Sequence, residues 1–425
     1  MSFLSRLFRR RRSAPASMAA AQATLPVQLV PLGEAFTPTQ PKTGRRRLIG
    51  RQAELARILQ ALNEDRAHVV LYSERGRGKT SLSNLAVQSL RRNGVIVARH
   101  TCEAGTTFDS MMRGVVRDLP PALLAARASR VGMAESEGCE AALPDGELRP
   151  RDVAALPGRL ACRGLVCLID EFDRVADPLC RTRLADTIKL LSDRDAPLLF
   201  LIVGVSENLE QILGQHPSIQ RSVVGIHLPL LTDRDVAQLI TKGGREAGFS
   251  FQQTAIARIT VLARGMPYMA QLLGLRLTQA TAARGDSQVS EEDFDTAVAR
   301  MAQDMPPRIL ALYDDLTSYG RDAEMAQVLR RVSTAPQDAW GRLQVARLDD
   351  AVLVGGRPVS AACWDRLVGT GVLAPAAPGS GQFIFAERPL MHHALLLAAR
   401  DVAALDGMES AAGLTPRTLH VVSQG

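Results

Sequence analysis

A strand, a glycine-bearing turn and a helix follow one another within residues 68–92, and this order constrains the chain more than any other feature. The apolar, β-prone run Val69–Tyr72 leads into a turn that ends in Gly78-Lys79-Thr80, and a helix-compatible stretch follows. In this setting backbone N–H groups can wrap phosphate oxygens, the lysine can reach the β and γ phosphates, and the threonine hydroxyl can hold Mg²⁺. The turn departs from the usual G-x-x-x-x-G-K-[ST] pattern at Ser73, where a positive φ would strain serine. We therefore predict a nucleotide phosphate site.

A second apolar run ends in paired carboxylates. Residues 165–169 are apolar without interruption, which is typical of a strand buried on both faces, and Asp170 and Glu171 follow directly. In isolation such a pair would be two solvated acids after a core strand. Downstream of a Gly-Lys-Thr loop, Asp170 is placed to bind the Mg²⁺ shell, and Glu171 to orient and deprotonate a water.

Five apolar runs alternate with helical patterns from residue 48 to residue 231. The runs are residues 69–72, 95–99, 165–169, 198–205 and 223–228. This alternation predicts an α/β fold with a parallel sheet and right-handed crossovers, in which sites gather at the carboxyl ends of the strands.

These motifs resemble those of the AAA+ ATPases, in particular the origin-recognition and clamp-loader-like branch. Leu48-Ile49-Gly50-Arg51 is similar to the family's motif before the first helix, which packs near the adenine. The resemblance covers roughly residues 36–305. It implies a P-loop NTPase sheet with an α-helical lid, ATP as the nucleotide and Mg²⁺ as its cation. The residues assigned to nucleotide binding are Gly50, Arg51, Ser73, Glu74, Arg75, Gly76, Arg77, Gly78, Lys79, Thr80 and Ser81. Thr80 and Asp170 are the metal candidates.

The resemblance also implies a first sensor and an arginine finger. The run 198–205 leads into Ser206-Glu207-Asn208, where Ser206 and Asn208 are the sensor candidates. Ser206 has an alternative role as the cap of a following helix. Arg221 precedes the fifth strand and is the finger candidate, which in AAA+ rings acts on the γ-phosphate of a neighbouring subunit.

A helix-rich stretch, residues 232–305, is similar to the AAA+ lid domain. Thr232 opens it with capping-box character. The family's second sensor arginine is missing at its expected place, because Gly265-Met266-Pro267 is followed by Tyr268. Either Arg264 or Arg276 substitutes for it, or that sensor is absent.

Residues 306–402 predict a winged-helix-like domain. Helical patterns at 308–318 and 323–332 precede a short one near 343–348, another at 360–367, and two strands around a Pro378-Gly379-Ser380-Gly381 turn. A DNA reader needs a basic recognition helix, and the candidate at 360–370 has only Arg366, offset by Asp365. Contact with double-stranded DNA and contact with a protein therefore stay open.

The positive charge of the chain lies in its first residues. The formal charge of +7 divides into +8 for residues 1–47 and −1 for the rest, so a globally basic nucleic-acid binder is not implied. Residues 1–12 combine Phe3, Leu4, Leu7 and Phe8 with an arginine cluster. They read as a disordered tail, a basic arm on nucleic acid, or an amphipathic anchor for peripheral membrane contact, the least favoured of the three. Six cysteines without a C-x-x-C pair indicate a reducing compartment, and we expect a cytoplasmic protein.

The sequence thus predicts an ATP-hydrolysing switch that acts on a DNA or protein partner, and that assembles into a homo-oligomer if Arg221 is a finger. The alternatives are a non-catalytic ATP-binding scaffold and a signalling NTPase triggered by a partner. The predicted domains are a basic leader and flexible linker (1–43), the nucleotide-binding domain (44–231), the lid (232–305), the winged-helix-like domain (306–402) and a tail (403–425).

Overall fold

The computed structural model describes three packed parts of the chain. It covers residues 30–38, 49–123, 139–160, 164–206, 219, 221–318, 320–348, 351–377 and 379–399. The predicted arm at 1–12, Leu48, Asn208 and the tail at 403–425 lie outside these residues. No helix in the described part of the chain has the length and apolar character needed to cross a membrane.

The first part is a five-stranded parallel sheet between two layers of helices. Its strands are β1 (His68–Ser73), β2 (Ile96–Thr101), β3 (Leu165–Asp170), β4 (Leu198–Val205) and β5 (Val223–His227), in the order β2-β3-β4-β1-β5. Every residue of β3 is buried, as its unbroken apolar run predicts. All pairs run parallel, so the predicted α/β P-loop fold is confirmed.

The helices of this part cover both faces of the sheet. They are α2 (Gln52–Asn63), α3 (Lys79–Arg92), α4 (Phe108–Arg117), α5 (Pro150–Ala154), α6 (Leu156–Arg159) and α7 (Pro178–Asp193), with one-turn 3₁₀ segments at Cys139–Ala142 and Phe172–Arg174. Two separate apolar clusters result, one on each face of the sheet. Register pairs Ser73 with Val205, which brings the ends of β1 and β4 together.

The second part is the helical lid. It contains α8 (Asp233–Ala247), α9 (Gln253–Ala263), α10 (Pro267–Ala283) and α11 (Glu292–Gln303), with a two-stranded parallel pair of β6 (Ser250–Phe251) and β7 (Gln288–Val289). Thr232 caps α8 in a reciprocal box with Asp235, as its sequence predicts.

A short N-terminal segment is built into the lid. Residues 30–38 carry α1 (Leu32–Ala35), and the side chain of Phe36 is fully buried. A Cβ added at Gly243 or Gly274 would lie within 2.5 Å of the Phe36 ring, so the two glycines form its slot. The assignment of this stretch to a flexible linker is therefore wrong for residues 30–38. Nothing in its Pro- and Thr-rich composition signals that one phenylalanine completes a core.

The third part combines helices with a five-stranded sheet. Its helices are α12 (Pro307–Leu316), α13 (Ala323–Thr334), α14 (Ala361–Gly369) and α15 (Arg388–Ala399). Its strands are β8 (Leu343–Arg347), β9 (Ala351–Val354), β10 (Arg357–Ser360), β11 (Leu373–Pro375) and β12 (Gln382–Phe385), in the order β10-β9-β8-β12-β11. A hairpin of β11 and β12 follows α14, as expected for a wing. The helix predicted near 343–348 is wrong, because residues 343–347 form strand β8, which pairs with β9 and β12.

Candidate functional site

The main cleft of the sheet domain lies at the carboxyl ends of β1, β3 and β4 and is closed on one side by the lid. Its volume is about 630 Å³. The lining from the sheet domain is Arg75, Gly76, Gly78, Lys79, Thr80, Ser81, Asp170, Glu171, Asp173, Arg174 and residues 203–205. The lining from the other side is Thr37, Pro38, Pro267, Tyr268 and Gln271. A cleft at the strand ends is the expected position for a ligand in such a sheet.

Backbone conformation explains the composition of the loop between β1 and α3. Gly76 and Gly78 have φ values of +81° and +92°, a region that glycine enters without steric penalty. Ser73 is the last residue of β1 and is not among the residues with positive φ. The replacement of the first glycine by serine is therefore tolerated. The loop ends at the N-terminus of the 14-residue helix α3, where free N–H groups attract phosphate.

Lys79, the first residue of α3, is a cation that lines the cleft. Its ammonium group donates hydrogen bonds to the carbonyl oxygens of Ser73 at 2.7 Å and Glu74 at 2.8 Å. Burial lowers the pKa of Lys79 to about 8, opposed mainly by the carboxylate of Asp173. A desolvated ammonium group gains much from a phosphate oxygen, since the surrounding dielectric is low.

Asp170 and Glu171 have different surroundings. Asp170 is buried, its carboxylate accepts a hydrogen bond from the Glu171 N–H at 3.0 Å, and burial raises its pKa. Glu171 adopts a left-handed backbone conformation with φ of 54°, and its half-exposed carboxylate forms an ion pair with Arg174 at 2.8 Å. The Asp170 carboxylate is thus held in place by a backbone hydrogen bond, whereas the Glu171 carboxylate is engaged by Arg174.

The oxygen donors of the cleft fit Mg²⁺ bound together with a nucleotide. Among the described residues, the buried carboxylate of Asp170 forms one ion pair, with Arg99 at 3.9 Å. Among those residues no cluster of three or more His, Cys, Asp or Glu side chains could enclose a metal. Mg²⁺ commonly takes one or two protein oxygens and completes its shell with phosphate and water. Thr80 and Asp170 supply that kind of donor set.

Asp173 was not among the predicted site residues. Its carboxylate accepts a hydrogen bond from the Val205 N–H at 2.8 Å, which ties the turn after β3 to the tip of β4. It lines the cleft and supports the protonated form of Lys79. The Asp-Glu-x-Asp spacing at 170–173 was the available signal.

Two of the sensor and finger candidates, Ser206 and Arg221, are described by the structure, and neither lines the cleft. Ser206 is buried immediately after β4, next to the loop but outside the cleft lining. Asn208 is outside the described residues. Arg221 is exposed before the amino end of β5, and since β1 and β5 run parallel it lies at the edge opposite the cleft. The structure does not bring Arg221 to the site of its own chain.

The lid contributes uncharged groups to the cleft. Tyr268 and Gln271, from the first turn of α10, line it. Gln271 accepts a hydrogen bond from the Thr37 N–H at 2.7 Å, so the N-terminal segment joins the wall. The two arginines considered as second sensors lie elsewhere: Arg264 donates to Ala335 O in the C-terminal part, and Arg276 pairs with Asp304.

Five assigned binding residues do not line the cleft: Gly50, Arg51, Ser73, Glu74 and Arg77. Gly50 and Arg51 do not line it, and the Arg51 guanidinium donates to Pro229 O at 2.5 Å and to Arg77 O at 3.5 Å. Glu74 and Arg77 form an ion pair with each other, and neither lines the cleft. Arg51, Glu74 and Arg77 thus hold the loop through contacts outside the cleft lining.

Comparison with known proteins agrees with this geometry. Residues 47–202 match the family model described as an AAA ATPase domain. The Walker-type ATPase PABY2304 of Pyrococcus abyssi is similar in fold, with a TM-score of 0.51, 14% sequence identity, and coverage of 84% of this chain and 98% of that one.

Two further structures match with TM-scores too low to support conclusions. The Thermotoga maritima RuvB Holliday junction branch migration motor matches at 0.45, with 14% identity and coverage of 83% and 97%. The Aeropyrum pernix Orc1 protein in complex with DNA matches at 0.43, with 16% identity and coverage of 87% and 97%. Comparison with curated proteins gave no significant match. Residues 47–202 thus match an AAA ATPase domain, and the fold of the chain is that of a Walker-type ATPase.

Proposed function

We propose that this chain binds ATP with Mg²⁺ in the cleft and hydrolyses it to ADP and phosphate. The observation that carries the proposal is the meeting of Lys79, Thr80, Asp170 and Glu171 around one cleft, although 90 residues separate Thr80 from Asp170. Phosphoryl transfer depends on positioning and charge, and these are the groups that it uses.

Each residue has a distinct task. Lys79 and the N–H groups at the start of α3 bind the phosphates, while Thr80 and Asp170 hold Mg²⁺, which neutralises charge on the phosphate oxygens when bound. Glu171 leaves Arg174, orients a water and accepts its proton as the oxygen attacks the γ-phosphorus. The bond to the β–γ bridging oxygen breaks, and ADP departs with that electron pair.

The cleft supports a switch because the sheet domain, the lid and the N-terminal segment all contribute to its wall. The lid and the N-terminal segment contribute Gln271 and Thr37, so a nucleotide in the cleft contacts more than one part of the chain. Differential contacts of this kind are what allow a ligand to shift a conformational equilibrium.

The C-terminal part bears on the class of partner, and we favour a protein over double-stranded DNA. Arg366 of α14 pairs with Asp322 and donates to Asp315 O, while Asp365 pairs with Arg347. A recognition helix needs free basic groups, and these are engaged within the domain.

A non-catalytic ATP-binding scaffold is the second candidate. The observation in its favour is the Glu171–Arg174 ion pair, which occupies the carboxylate that would activate water. In that case nucleotide binding, without turnover, sets the conformation.

Two substitutions separate these functions. Lys79→Ala removes the phosphate cation and should abolish ATP binding, whereas Glu171→Gln should keep binding and stop hydrolysis. Lys189→Ala, an exposed lysine on α7, is the matched control. ATP binding by calorimetry and phosphate release would be measured for all four proteins, with and without duplex DNA.

The outcomes are distinct. Tight ATP binding by Lys79→Ala would refute the site. Equal phosphate release by wild type and Glu171→Gln, with ATP bound to both, would establish the scaffold. A rate that rises with DNA would overturn the preference for a protein partner.

A further inference from the structure

The C-terminal part of the chain is fastened to the phosphate-binding loop. Residues 338–342, which we name the docking turn, precede β8 and lie against the loop. Arg77 of the loop donates to Trp340 O at 2.7 Å, and the N–H of Leu230 donates to Ala339 O at 2.9 Å. The turn is therefore bonded to the loop and to the segment that follows β5.

Arg77 is completely buried at this contact. Its guanidinium also donates to Leu228 O at 3.1 Å, and its own carbonyl accepts from Arg51. Burial lowers the pKa of Arg77 to about 10, opposed by Glu74, so it stays protonated at neutral pH. Beside it, the Trp340 ring meets the His227 ring at 4.2 Å between centroids. The ring contact of Trp340 with His227 and the hydrogen bond from Arg77 to Trp340 O thus both hold the docking turn against the sheet domain.

A second arginine reaches the loop from α15. Arg388 lies 2.7 Å from the Glu74 carboxylate in ion-pair contact, with only 8% of its side chain exposed. A Cβ at Gly341 would lie 2.3 Å from this guanidinium, so the docking turn leaves room for it. Glu74 is therefore held between Arg77 of its own loop and Arg388 of a distant helix.

The charge of this trio matters for a polyanionic ligand. Glu74 stands one residue after β1, in the loop that must receive phosphate, and a carboxylate there opposes anion binding. Glu74 alone carries a charge of −1, and with Arg77 and Arg388 beside it the summed charge of the three groups is +1. Without Arg388 the remaining pair of Glu74 and Arg77 is neutral, and Glu74 loses its ion-pair partner from the C-terminal part.

We propose that Arg388 is a positioning residue for ATP binding, which acts through Glu74 to shape and neutralise the phosphate-binding loop. The inference rests on the proposed binding of ATP in the cleft. It adds that the C-terminal part is a component of the nucleotide site. By reciprocity, ATP must strengthen the attachment of that part by the same factor by which Arg388 strengthens ATP binding.

The test is a double-mutant cycle on ATP affinity, measured by calorimetry with wild type, Arg388→Met, Glu74→Gln and the double variant. Methionine keeps the buried volume and removes the charge. Arg388→Met should weaken ATP binding about tenfold, a typical coupling. Glu74→Gln should restore most of this loss in the double variant, because the opposing carboxylate is gone.

Controls separate positioning from damage to the fold. Arg366→Ala removes another ion-paired arginine of the C-terminal part, with Asp322 as its partner, and should leave ATP affinity unchanged. Arg388→Lys keeps the charge and should retain most of the affinity. Thermal unfolding of each variant verifies that it is folded.

Two results would overturn the inference: wild-type affinity in Arg388→Met, or a double variant as weak as the single one. Failure of the proposed function is distinguishable, because it requires Lys79→Ala to keep ATP binding. As an independent readout, ATP should slow proteolysis between the lid and the C-terminal part in wild type, and less so in Arg388→Met.

Discussion

Lys79 carries a depressed pKa into a cleft suited to a polyanion, and this combination sets a pH dependence. With a pKa of about 8, the ammonium group of the ligand-free protein loses its proton as the pH rises through 8. Bound phosphate favours the charged form, so affinity should be full below pH 8 and fall by up to about tenfold per pH unit above it. Binding near pH 8 should take up a proton.

Calorimetry between pH 7.5 and 9.5, in buffers of different ionisation enthalpy, measures both effects. Lys79→Arg is the control, since its guanidinium stays charged over this range. Constant wild-type affinity up to pH 9.5 would contradict the depressed pKa.

At the residue scale, motif spacing predicted Lys79, Thr80 and Asp170, because their chemistry depends on positions within one strand and one loop. The ion pair of Glu171 with Arg174 depends on a left-handed backbone that residue types do not reveal. The burial of Arg77 could not be predicted either, since the carbonyl groups of Leu228 and Trp340 that cover it lie more than 150 residues away.

Among the elements, the N-terminal segment makes the sharpest prediction. Phe36 fills a slot between Gly243 and Gly274, so Phe36→Ala should leave a cavity and destabilise the lid by about 3–5 kcal/mol. Thermal or denaturant unfolding measures the loss. Leu179→Ala, which removes a side chain that is 51% exposed, is the control and should change stability little. Equal stability of Phe36→Ala and wild type would show that the slot is not part of the lid core.

The elements also show where sequence patterns are sufficient. The five parallel strands were predicted because long apolar runs are specific for buried strands. Strand β8 was read as helix, since five residues with one buried and one half-buried position fit both periods. The hairpin of β9 and β10 was missed because Gly355-Gly356 separates two very short runs.

For the whole molecule, the position of Arg221 predicts a shared site. It lies at the sheet edge opposite the cleft, so it can complete only a site of another subunit. The specific rate of ATP hydrolysis should then rise with protein concentration and fall in Arg221→Ala. Arg194, exposed before the same edge at β4, gives the control Arg194→Ala.

Mixing variants provides the decisive form of this test. Arg221→Ala and Glu171→Gln, each inactive alone, should recover activity when combined, because a mixed interface has one site with both an intact base and an intact finger. Absence of recovery, together with a rate independent of concentration, would exclude a finger role for Arg221.

The burial of Phe36 in the lid limits the distance between the lid and the basic residues at the start of the chain. Phe36 is buried in the lid, and the N–H of Val30 donates a hydrogen bond to Glu246 O. The arginine cluster that ends at Arg12 is therefore 18 residues away from a point held by the lid. A stretch of this length spans at most about 60 Å when fully extended. Any surface that the arginine cluster contacts must therefore lie within that distance of the lid.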